Sequence, residues 1–238
     1  MGIRRHIPNS ITSLNLLCGT IGIVLSLKGH VDTAFYFMLG GALADFCDGL
    51  SARLLGAYSP MGKELDSLAD QVTFGVLPSV MMWEQITEAT SFSEPVAWSF
   101  LLIAVFSGLR LAKFNIDSRQ ATSFIGLPTP ACAMICGSAA YYLNFKGLEY
   151  TSETIGVWAV PAVFVLCYAL VCETPMFSMK FHKGDRLGWQ RIAFFAFAAA
   201  SVAAVALCGA NWSLAVLATF IAYIIINIIQ EFIEFVKK

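Results

Sequence analysis

Asp45 and Asp48, then Asp66 and Asp70, form two pairs of carboxylates at helical spacing. The first pair is i, i+3, about 60° apart around a helix axis, and the second is i, i+4, about 40° apart. Each pair therefore lies on one helix face. The stretch 54–61 between the two helices contains Gly56 and Pro60, residues that turn a chain back on itself. Two antiparallel helices so joined point all four acids at a shared space. Four carboxylates at close range cannot all stay ionised unaided, so protons or cations must neutralise them. Oxygen ligands without His or Cys suit a hard divalent ion, Mg²⁺, Mn²⁺ or Ca²⁺, and four acids are enough for two ions. Such a centre commonly handles phosphate, screening its charge and polarising its phosphorus–oxygen bonds. Gly49 and Ala52 let a ligand or a neighbouring helix approach the backbone. Arg53, at the mouth, offers a bidentate phosphate contact. A bland alternative, helix-end acids solvated at an interface, explains one such residue but not four with Gly, Ala and Arg interleaved.

The elements that hold these residues are membrane helices. Of the 238 residues 58% are hydrophobic and only 13% charged, with a mean hydropathy of +0.71. Soluble domains carry about 25% charged residues, so this chain cannot wet a globular surface. Composition excludes an ordinary soluble enzyme, a disordered chain and a nucleic-acid binder. Apolar stretches of about 20 residues, the length of a bilayer-crossing helix, fall at about 11–28, 31–55, 62–86, 95–114, 128–146, 155–173, 191–208 and 212–236. Strand-like alternation is absent. The expected fold is an all-α integral membrane bundle of about eight transmembrane helices, one domain over 1–238. Thirteen of the fifteen basic residues then fall on one side: Arg4, Arg5, Arg53, Lys63, Arg110, Lys113, Arg119, Lys180, Lys183, Arg186, Arg191, Lys237 and Lys238. Lys28 and Lys146 lie on the other. The positive-inside rule makes the first side, both termini and the acids cytoplasmic. Arg4-Arg5 precede the first apolar run without a small-x-small site after it, so no cleavable signal is expected. The seven cysteines lie within predicted spans and read as small packed hydrophobes. Glu64 and Glu84, near the ends of the third span, read as interfacial.

Asp45-x-x-Asp48-Gly49-x-x-Ala52-Arg53, eight residues, then Gly62-x-x-x-Asp66-x-x-x-Asp70 resembles the complete signature of the CDP-alcohol phosphatidyltransferases. These are membrane enzymes that move a phosphatidyl group from a CDP-linked lipid to an alcohol and release CMP. Gly62-Lys63-Glu64-Leu65-Asp66-Ser67-Leu68-Ala69-Asp70 followed by Phe74-Gly75-Val76-x-Pro78 is similar to the phosphatidylserine synthase branch, and Gln71 stands where phosphatidylglycerophosphate synthases tend to have Lys. Leu109-Arg110-Leu111-Ala112-Lys113-Phe114-Asn115 and Phe124-x-Gly126-Leu127-Pro128-x-Pro130 add to it, Lys113 replacing the usual Arg. The resemblance spans about 4–145; the extra C-terminal helices, about 155–236, match only in number and hydrophobicity.

The resemblance implies that Asp45, Asp48 and Asp66 hold two Mg²⁺ or Mn²⁺ ions with Asp70 also near the second, and that Asp70 is the general base. It implies that Gly49, Ala52, Arg53 and Gly62 hold the cytidine diphosphate. Asn9, Thr12 and Asn15 either approach the nucleotide, as in relatives, or simply start the first helix with Asn9 or Ser10 as N-cap. The implied reaction is attack of the serine hydroxyl on CDP-diacylglycerol at the cytoplasmic face of a prokaryotic-type inner membrane. Arg110, Lys113 and Arg119 are candidates for the serine carboxylate or lipid phosphate, beside a plain positive-inside role. A homodimer is implied as well. Rival readings keep the chemistry with inositol phosphate, glycerol phosphate or an archaeal-type lipid. A cation-coupled transporter would instead need acids near midplane and a repeat, and a membrane scaffold gives no reason for buried acids.

Overall fold

The computed structural model describes residues 6–89, 94–117, 124–146, 152–177 and 188–236. Apart from one pair of two-residue strands, the regular structure of the described residues is helical. In order come α1 (His6–Ser26), α2 (Val31–Leu55), α3 (Pro60–Asp70), a π-helical segment (Gln71–Val76), α4 (Leu77–Ala89), α5 (Glu94–Ser99), α6 (Leu101–Ile116), β1 (Phe124–Ile125), α7 (Thr129–Lys146), α8 (Ser152–Val171), β2 (Pro175–Met176), α9 (Trp189–Cys208) and α10 (Ser213–Val236). Among the described residues, four stretches are long and apolar enough to cross a membrane by themselves: His6–Ser26, Pro95–Ile116, Trp189–Cys208 and Ser213–Ile233. The outer surface agrees, with Leu43, Leu68, Val105, Val202 and Leu207 exposed, the last at 88%. Water would penalise such a surface, whereas lipid tails match it.

α1 shows how the helices associate without a hydrophobic driving force between them. Its buried residues are Pro8, Thr12, Asn15, Gly19, Gly22 and Ser26, alternately four and three apart and all small or polar. Its large apolar residues Leu14, Leu17 and Val24 face outward. In a bilayer, close contact of small residues and interhelical hydrogen bonds drive helix association. Accordingly a β-carbon at Gly19 or Gly41 would strike Thr73, and one at Gly22 would strike Leu77. Asn9 and Ser10 lie inside α1, so neither is its N-cap as the sequence had allowed.

α2 ends on Gly56 in the left-handed conformation (φ 58°), and α3 starts on Ser59, whose hydroxyl accepts from the Gly62 amide at 3.0 Å, with Pro60 at the first helical position. These are ordinary stop and start signals, and they make the tight α2–α3 hairpin that the acids require. The stretch read as one helix, 62–86, is interrupted by the π turn immediately after Asp70. Two side chains hold it: Gln71 donates to the Ala104 carbonyl on α6 (2.9 Å), and Thr73 donates to the Asn15 carbonyl on α1 (3.0 Å). Phe35, Met38, Phe74, Leu77, Met81, Ile103, Leu127 and Tyr223 form the fully buried centre. Glu84 is buried within the protein: Gln85 donates to it at 2.8 Å, and its carboxylate lies near Gly29 of the α1–α2 loop.

Candidate active site

The α2–α3 hairpin brings Asp45, Asp48 and Asp66 together, with one carboxylate oxygen from each within 4.8 Å of the others. Among the described residues this is the group fit to hold a metal ion. The donor set fits a hard divalent cation: oxygen only, three acids, partly buried, at the spacing of shared ligands. α1 supplies the supporting hydrogen bonds from one face. Thr12 donates to Asp48 Oδ2 at 2.6 Å, and one turn later Asn15 Nδ2 donates to Asp70 Oδ1 at 3.3 Å. Asp70 thus stands outside the three-acid group, oriented by its own donor and directly before the π turn, a feature that often marks functional sites.

Two cavities meet at these acids. The smaller, about 230 Å³, is walled by Pro8, Asn9 and Thr12 of α1, Asp48, Gly49 and Ala52 of α2, and Tyr58, Ser59 and Gly62 of the hairpin. It gathers Asn9, Thr12, Gly49, Ala52 and Gly62, which the sequence had singled out for the nucleotide. Nothing lies within 4 Å of where a β-carbon on Gly49 would be, so that glycine borders open space rather than a packed neighbour. Arg53 is exposed at the end of α2, its Nε donating to the Gly49 carbonyl at 3.0 Å.

The larger cavity, about 280 Å³, holds Asp45, Asp66, Asp70 and Arg110 at its charged end and runs along α6, α7 and α10. Arg110 is buried, donates to Thr129 Oγ1 at 3.3 Å, and lies over the Phe114 ring at 5.1 Å. Lys63 and Asp66 line both cavities. Lys63 Nζ also donates to the Asn115 carbonyl at 3.0 Å, and Asn115 donates to Ser67 at 2.8 Å. Lys113 turns away to an ion pair with Glu173 at 3.1 Å. Arg119 lies outside the described residues. From sequence, Lys63 counts among the basic residues and within the Gly62–Asp70 motif without a place in the site; its position three residues before Asp66 was the available signal. Phe220 and Tyr223 of α10 also line the larger cavity; Tyr223 begins a stripe with Asn227 and Gln230 at helical spacing, which was the available signal for that face.

Residues 5–171 match the CDP-alcohol phosphatidyltransferase family. The chain is 40% identical over 129 residues to a CDP-diacylglycerol–serine O-phosphatidyltransferase of Bacillus subtilis (strain 168), covering 54% of this chain and 72% of that one. It is 34% identical over 183 residues to the protein of the same name in Mycobacterium leprae (strain TN), covering 73% of this chain and 58% of the relative. An archaetidylserine synthase of Methanothermobacter thermautotrophicus is 31% identical over 162 residues, 67% of this chain and 66% of the relative. The matches to the last two thus reach less than two thirds of those relatives' lengths.

Proposed function

The chain belongs to the CDP-alcohol phosphatidyltransferase family, and on that premise we propose that it transfers a phosphatidyl group from CDP-diacylglycerol to the hydroxyl of L-serine, releasing CMP. The observation that carries this reading is the meeting of two cavities at one group of acids. A two-substrate displacement needs the leaving group and the nucleophile on either side of the phosphorus. The smaller cavity, bordered by Gly49, Ala52 and Gly62, takes the cytidine diphosphate. The larger one, with Asp70 and Arg110, takes the acceptor and the lipid.

Asp45, Asp48 and Asp66 are the residues to hold Mg²⁺ or Mn²⁺, which supplies screening of the pyrophosphate and polarisation of its phosphorus–oxygen bonds. Asp70 accepts the serine hydroxyl proton as the oxygen bonds to the lipid-side phosphorus. The bond from that phosphorus to the CMP phosphate oxygen breaks, and CMP leaves with the electron pair. Base catalysis of this kind works because proton removal tracks bond formation. Asn15 holds the Asp70 carboxylate in orientation, and Thr12 does the same for Asp48. Arg110, buried at the charged end, pairs with the serine carboxylate, while Lys63 at the junction contacts the phosphates shared between the cavities. Serine as acceptor is supported by the names of all three relatives. The reading places the site at the cytoplasmic face of an inner membrane, in a homodimer, as the resemblance implies.

Purified protein with Mn²⁺, CDP-diacylglycerol and a panel of serine, inositol phosphate and glycerol phosphate tests it. CMP release should be preferential with serine and stop on chelation of the metal. Release with glycerol phosphate but not serine would overturn the acceptor assignment; no release with any alcohol would overturn the transferase reading.

A further inference from the structure

The family match ends at residue 171, before α9 and α10 begin. Even so, α10 reaches the larger cavity, where Phe220 and Tyr223 face the same space as Asp70 and Arg110. One end of that cavity is charged. Besides Lys63, Ser67, Asn115 and Tyr223, the rest of the lining is hydrocarbon, from Leu111 and Phe114 on α6, Pro128 before α7, Pro130, Ala131 and Met134 on it, and Phe220. Serine has no chain to lay along such a wall. An amphiphile does: its phosphate reaches the acids while its tail leaves along the apolar side. We propose that α10, through Phe220, forms the wall against which the first hydrocarbon segment of the lipid substrate packs, so that the C-terminal helices set lipid preference. This rests on the phosphatidyl-transfer reading.

The wall is held in place by hydrogen bonds that the apolar run alone would not suggest. Tyr223 is fully buried and donates to the Phe177 carbonyl at 3.0 Å. Asn227, one turn on, accepts from the Phe177 amide at 2.9 Å and donates to the Tyr223 carbonyl at 2.7 Å. The two bonds to Phe177 fix the chain just after β2. β2 pairs antiparallel with β1, and the Gly126 amide donates to the Thr174 carbonyl at 2.9 Å. The corner that delivers Pro128 to the cavity and Thr129 to Arg110 is therefore anchored to α10. Phe194 of α9 packs edge-on against Phe220 and Tyr223, with centroids 6.4 Å and 5.9 Å away. α9 backs the wall, and the two helices work as a unit.

The test compares affinity for CDP-diacylglycerol with affinity for free CDP, both with Mn²⁺, in the full-length protein and in Phe220→Ala and Phe220→Trp. Truncation removes the packed ring and enlargement fills the space, so each should weaken CDP-diacylglycerol binding by about tenfold. CDP, which lacks the tail, should bind within about twofold of wild type. If the two ligands move by the same factor, or neither moves, the wall assignment is wrong. Phe220→Leu, which conserves volume most closely, serves if a harsher variant does not fold, and should show a smaller loss in the same direction; equal binding of both ligands as in wild type would again overturn it. Wild-type protein that prefers CDP-diacylglycerol over CDP but releases no CMP would refute the phosphatidyl-transfer reading and leave the wall standing. Turnover with unaltered lipid preference in the Phe220 variants would do the reverse.

Discussion

Asp48 and Asp70 each receive a hydrogen bond from α1, and the two bonds have separable consequences. Asn15 Nδ2 holds Asp70 at 3.3 Å, and the Asn15 carbonyl in turn accepts from Thr73 on the π turn. Asp70→Asn keeps this shape but cannot accept a proton. CMP release should fall at least about 100-fold, within the range for a lost general base, while binding of CDP-diacylglycerol survives; retained turnover in a steady-state assay would remove Asp70 as base. Asn15→Ala leaves the carboxylate but frees its orientation. A hydrogen bond to a charged group contributes about 1.5–3 kcal/mol, so kcat should drop roughly tenfold or more with KM little changed. Thr12 acts on a metal-ligand candidate instead, through its 2.6 Å bond to Asp48. Supporting partners of this kind commonly change metal affinity by about 10- to 100-fold. Thr12→Val should therefore raise the Mn²⁺ concentration for half-maximal activity about tenfold or more, and an unchanged metal titration would contradict that role.

Among the elements, the corner before α7 is the most constrained. Gly126 has φ +74°, and a β-carbon there would meet the carbonyl oxygens of Leu170, Cys172 and Ala169. Left-handed backbone at a non-glycine residue costs on the order of 1–3 kcal/mol, before any clash. Gly126→Ala should lower the thermal unfolding midpoint in detergent and loosen Arg110 through Thr129; an unchanged midpoint would show that the corner yields. The hairpin was legible in advance because its signals are local: acids at helical spacing, Gly56 and Pro60 between them. The π turn was not, since one extra residue in a turn leaves the hydrophobic pattern of 62–86 nearly intact, and only the partners of Gln71 and Thr73 on other helices require it. Gln71 was read from sequence only as the absence of a lysine; its side chain ties that turn to α6, with Gly75 and Gly108 leaving room for it. Burial of Glu84 escaped for the same reason, because its cover comes from the distant α1–α2 loop.

For the whole molecule the scarce charges do two jobs. Arg53, Lys63, Lys113 and Arg191 lie at or near helix ends that alternate along the chain, at the end of the bundle that holds the acids, and Lys28 lies at the other. On the positive-inside rule we propose that the acid-bearing end is the cytoplasmic one. Fusions of a fluorescent protein and of alkaline phosphatase to the C-terminus test this directly: fluorescence without phosphatase activity is expected, and the opposite pattern would invert the topology. Composition made the membrane and the acids legible together, since a chain with 13% charged residues leaves intramembrane acids conspicuous. It could not show that α10 closes the larger cavity, because the stripe of Tyr223, Asn227 and Gln230 marks an inward face without naming the helices it meets. The central claim is that the acids assembled by the α2–α3 hairpin transfer a phosphatidyl group to serine. Its most direct test is to quantify CMP and phosphatidylserine together from CDP-diacylglycerol, serine and Mn²⁺ with wild-type protein and with Asp66→Asn. Equimolar products from the wild type and neither from the variant are expected; CMP without phosphatidylserine, or equal yields from both proteins, would contradict the claim.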